Sequence, residues 1–77
     1  MISREELEAW SQLYDRGYNS FEVDEKTFAA RAELDQVLAD AYPRLVPGGS
    51  ISFRDFRREA ITRMRELLRK QFRPPTT

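Results

Sequence analysis

The chain has no cysteine and no histidine among its 77 residues, and those two absences remove whole classes of chemistry. No disulfide can staple the fold, no thiol can act as a nucleophile, and the usual zinc ligands are missing. A chain without cysteine suits a reducing compartment, so a cytoplasmic location is the expectation. Glycine is scarce, with three in all. Two of them, Gly48 and Gly49, are adjacent but lack the Lys-Ser/Thr that follows a phosphate-binding loop. No apolar run approaches the roughly 20 residues that a membrane-spanning helix needs. The opening residues, Met1 to Glu6, are hydrophilic and acidic, unlike a secretory signal. No membrane association is expected.

Catalytic and metal chemistry are poorly served by what remains. The five serines include no Ser-x-x-Lys pair and none flanked by glycines in a nucleophile turn. Glu5 with Glu8, and Asp24 with Glu25, are carboxylate pairs of the kind that decorate a solvated helix face or complement a helix dipole. The loop Pro43 to Ile51 places Gly49 and Ile51 where a calcium-binding loop has its glycine and its hydrophobic residue. Its first ligand positions would be Arg44, Val46 and Gly48, which supply no side-chain oxygen, whereas calcium takes six to eight oxygens. The chain is therefore expected to be non-catalytic, with no metal and no cofactor.

What is present is charge, unevenly placed. Residues 1–53 hold ten acidic and five basic side chains, whereas residues 54–77 hold three acidic and eight basic. The formal net charge of zero conceals this division. A basic final helix serves a polyanion, an acidic partner, or the chain's own acidic half.

Three helical segments carry start signals. Ser3 with Glu6 reads as a capping box, and Ile2 with Leu7 as a hydrophobic staple around it. Helix 1 is expected from about Ser3 to Arg16, with Gly17 as its stop. Asp24 is the N-cap candidate of a second helix that ends before Pro43. Phe28, Ala30, Ala32, Leu34, Val37, Leu38, Ala41 and Tyr42 make that helix apolar over well more than half its circumference, the mark of a middle element packed on two sides. Ser52 with Asp55, and Ile51 with Phe56, repeat the box and staple before a third helix from about Phe53 to Phe72. Residues 1–73 read as one helical domain and 74–77 as a Pro/Thr tail. An echo at an offset of 28 residues pairs Tyr14 with Tyr42, Val23 with Ile51 and Phe28 with Phe56. It brings two short extended pieces, Phe21–Val23 and Ser50–Ser52, to equivalent places. The predicted fold is thus all-α, a small three-helix bundle, with room for a two-strand miniature sheet between the two loops.

Two surfaces stand out. At 100° per residue, Arg54, Arg58, Arg65 and Arg69 fall within about 60° of one another, with Arg57 at their apolar edge. Glu59 to Arg63 and Glu66 to Lys70 are favourable i, i+4 pairs, and Asp55 reaches Arg58. Glu5, Glu8, Asp35 and Asp40 are the candidate partners across the bundle for the remaining arginines. The second surface is the aromatic pair Tyr18 and Phe21, which three short helices have difficulty burying alongside Trp10 and Tyr14. The expected function is a small intracellular protein-interaction module: an adaptor, an accessory subunit or an inhibitor of a larger protein. An acidic protein partner and self-association both suit these surfaces. The alternative is a nucleic-acid-binding regulator that contacts phosphates through the basic helix. It would not be a helix-turn-helix, because the connection before helix 3 is far longer than the three or four residues of that motif.

Overall fold

A computed structural model describes residues 2–71. Three α-helices follow one another: α1, Arg4–Tyr18; α2, Glu25–Leu45; and α3, Phe53–Gln71. A single 3-10 turn, Pro47–Gly49, lies between α2 and α3. The fold is all-α. No strand occurs among the described residues, and Phe21–Val23 and Ser50–Ser52 form bends rather than a miniature sheet. The Phe72 end of helix 3 and the Pro/Thr tail lie outside the described residues.

Each helix starts where a short polar side chain satisfies an amide that has no partner within the helix. Ser3 Oγ accepts from the Glu6 amide at 3.1 Å, Asp24 from Thr27 at 3.0 Å and Ser52 from Asp55 at 3.1 Å. The reciprocal halves of the two capping boxes do not form. Glu6 turns instead to Arg44, and Asp55 to Arg58. Tertiary and along-helix cations thus outcompete the return bond of the box.

Both sequence stops are overrun. Gly17 lies inside α1, which continues to Tyr18 and is closed by Asn19, whose amide donates to Asp15 O at 3.1 Å. The glycine is there for space. A Cβ on Gly17 would stand 3.0 Å from Arg31 Cγ and 3.2 Å from the Arg31 backbone nitrogen. Pro43 sits within α2, and the helix runs two residues further before Val46 N bonds to Tyr42 O at 2.8 Å. A proline in a last turn removes a single donor, here from the carbonyl of solvent-exposed Ala39, which water can serve. Leu45 and Val46 pack on the core and hold the turn in place. The chain then reverses through Gly48 and Gly49, with φ of 79° and 66°, the left-handed region that glycine enters without penalty.

The core joins Trp10 and Leu13 of α1 to Leu34, Leu38 and Ala41 of α2 and to Phe56, Ala60 and Met64 of α3. The middle element is α1, not α2. It packs along both other helices, whereas α2 and α3 touch far less, in part beside the connecting turn. There Tyr42 lies edge-on to Phe53 at 5.4 Å and donates its hydroxyl proton to Ile51 O. The breadth of α2's apolar surface comes from residues left in water: Ala29 and Ala32 are exposed, and Phe28 is 56% exposed. That exposure also breaks the 28-residue echo, since Phe56 is buried.

Candidate interaction surface

α3 places its buried face, Phe56, Ala60, Met64 and Leu67, against the rest of the molecule, and so turns Arg54, Arg58, Arg65 and Arg69 outward as a row. All four are exposed, and Arg57 at their edge is half-buried. Arg57 is the one arginine of the group that finds an acid across the bundle, Asp35 at 3.4 Å. Arg58 meets Asp55 at 3.9 Å on its own helix. Among the described residues, Arg54, Arg65 and Arg69 make no ion pair. Glu8 is engaged by Arg4 at 3.1 Å, and Asp40 accepts from Gln36 at 3.0 Å. Glu59 meets Arg63 at 4.0 Å as expected, whereas Glu66 and Lys70 do not pair.

The aromatic pair separates into two roles. The Tyr18 ring stacks on Tyr14, with centroids 5.0 Å apart. The Arg31 guanidinium lies 4.8 Å from the same ring centre. The Tyr18 hydroxyl lies 3.5 Å from Arg57 Nη2. Tyr18 is therefore a joint between all three helices. Phe21 is fully exposed. It sits in a turn where Ser20 Oγ donates to Glu22 O at 3.0 Å and accepts from the Glu22 amide at 3.2 Å. Thr27, buried beneath, shares its one hydroxyl proton between the same Glu22 carbonyl at 2.9 Å and Asp24 Oδ1 at 3.1 Å. The turn is thus bonded in place with its phenylalanine facing water.

Two further residues belong to this corner. Val23 is 60% exposed and Phe28 is 56% exposed. Arg31 Nε donates to Gly17 O at 2.6 Å, and its guanidinium lies over Phe28 at 5.8 Å as well as over Tyr18. Tyr18, Arg31 and Phe28 are therefore one continuous surface, which Arg57 links to the α3 row. The signal for Phe28 was its position: a helix apolar around most of its circumference in so small a protein must leave part of that surface bare. Nothing in the spacing marked Arg31.

The Asp24 carboxyl is held below its ordinary value by the bonds it accepts from the Thr27 backbone and hydroxyl. This is a helix cap. Among the described residues, no group of three or more acidic side chains could hold a metal ion, and no helix is long and apolar enough to cross a membrane. The chain matches no protein-family model, no curated protein and no solved structure.

Proposed function

We propose that this chain is a non-catalytic protein-interaction module whose docking surface is the aromatic corner between α1 and α2. The observation that carries the reading is the exposure of Phe21, Val23 and Phe28 around one short turn that is itself fixed by hydrogen bonds. Water-facing apolar side chains gathered in one place are the mark of a contact surface, whereas single ones are ordinary. Aromatic anchors with an arginine beside them dominate the energetics of interfaces. Arg31 is held against Gly17 O, so little side-chain freedom would be lost when a partner covers it.

The test compares the wild-type chain with a Phe21→Ser, Phe28→Ser double variant, both used as immobilised bait and both examined by sedimentation. The reading predicts that proteins retained by the wild type, or its own dimers, are lost with the variant while the helical spectrum is unchanged. Identical retention and identical sedimentation for the two chains would reject it.

A further inference from the structure

We infer that the outer flank of α3 is a second site, one that takes the phosphodiester backbone of a nucleic acid without reading its sequence. Two shallow depressions of about 290 Å³ each run end to end along this flank and share Arg65. Arg54, Arg57 and Arg58 line the first, around Ile61. Arg69 lines the second, beside Tyr14 of α1 and the Asn19 that closes that helix. Neither depression has a carboxylate in its wall, whereas each of the other three surface depressions described contains at least one acidic residue. The Asn19 side-chain amide already donates to the Asp15 carboxylate at 3.1 Å, which leaves the arginines and Tyr14, side chains of the kind that commonly meet phosphate oxygens.

Arg54 and Arg69 are fifteen positions apart on one helix, a row about 22 Å long at 1.5 Å per residue. Of its members, Arg54, Arg65 and Arg69 make no ion pair among the described residues, and Arg58 has only a distant, exposed one. The chain's own acidic half therefore does not neutralise the row. Nor does it shield the row strongly in solution. The Debye length is about 10 Å at 0.1 M salt, so exposed carboxylates farther from the row than that are largely screened from it. A zero net charge is thus compatible with local attraction of a polyanion. The Tyr18 ring is already flanked by Tyr14 and Arg31, and Phe56, Ala60, Met64, Leu67 and Leu68 of α3 are buried, so the row offers contacts to phosphates rather than to bases.

The experiment titrates labelled twenty-nucleotide oligothymidine, and separately a twenty-base-pair duplex, with the whole chain, following fluorescence anisotropy at about 50 and 200 mM salt. Four phosphate contacts predict that affinity falls about 50-fold over that range for the single strand and about 150-fold for the duplex. Arg65→Glu with Arg69→Glu should abolish binding to whichever form is bound. Arg16→Glu with Lys26→Glu, an equal change of net charge beside a different depression, should leave at least half the affinity. Binding lost with the first pair and kept with the second supports the site. No binding to either nucleic acid at the lower salt, or equal loss from both double variants, overturns it. If the bait experiment above still separates wild type from Phe21→Ser, Phe28→Ser, only the phosphate site has failed.

Discussion

At the scale of single residues, Gly17 and Phe21 show how differently a sequence and a structure weigh the same side chain. Glycine inside a helix ordinarily costs about 0.5–1 kcal/mol relative to alanine, so Gly17→Ala would be expected to stabilise the protein. Here the added methyl would stand 3.2 Å from the Arg31 backbone nitrogen, and backbone cannot swing aside as a side-chain tip can. We predict that Gly17→Ala destabilises the protein by about 1–3 kcal/mol, the usual penalty of overpacking, as read from the denaturation midpoint. Stabilisation would show that α1 and α2 are not in close contact there. Phe21→Ala should stay within about 0.5 kcal/mol of wild type, as surface substitutions do. Leu34→Ala, at a position with no solvent exposure, should cost about 2–5 kcal/mol. A large loss from Phe21→Ala would place that ring in the core and remove it from any docking surface.

At the scale of elements, the helix starts were legible in the sequence and the ends of α1 and α2 were not. Ser3, Asp24 and Ser52 cap locally, and a local bond needs no knowledge of the rest of the chain. The ends at Gly17 and Pro43 were decided by what packs nearby: Arg31 over the glycine, and Leu45 with Val46 beyond the proline. Pro43→Ala restores a donor to the last turn of α2. Because an interior proline costs about 3 kcal/mol and a terminal one less, we expect a gain on the order of 1 kcal/mol, seen as a higher melting temperature. A fall would mean that proline's restricted backbone is needed to enter the turn. The Asp24 cap makes a separate prediction with a defined sign. Its folded pKa is lowered from 3.8 by the Thr27 bonds, so its contribution is complete above that value and is lost as pH falls through the lowered one. Asp24→Ala should therefore melt below wild type at pH 7, with the difference closing in strong acid. A difference that persists unchanged into strong acid would assign the cap's effect to something other than its charge.

At the scale of the whole molecule, the row of arginines was visible in the sequence because one helix carries it, and helical geometry alone fixes which residues share a side. Which helix sits in the middle was not visible. The apolar breadth of α2 pointed to α2, whereas α1 holds the central place, and Phe28, Ala29 and Ala32 were left bare. The connection of Tyr18 to Arg31 and Arg57 likewise depends on three helices meeting, so it could not be read from any one of them. The outcome is a small core of aliphatic and aromatic side chains surrounded by a surface in two parts, an aromatic corner and a cationic flank, which Arg57 joins. The central claim is that the corner is where another protein docks. Hydrogen exchange of the chain alone, and bound to a protein that the wild-type bait retains, tests it most directly. New protection is expected to concentrate in residues 18–31, with the buried amides of α1 and α2 unchanged. Protection confined to α3, or spread evenly over all three helices, would contradict it.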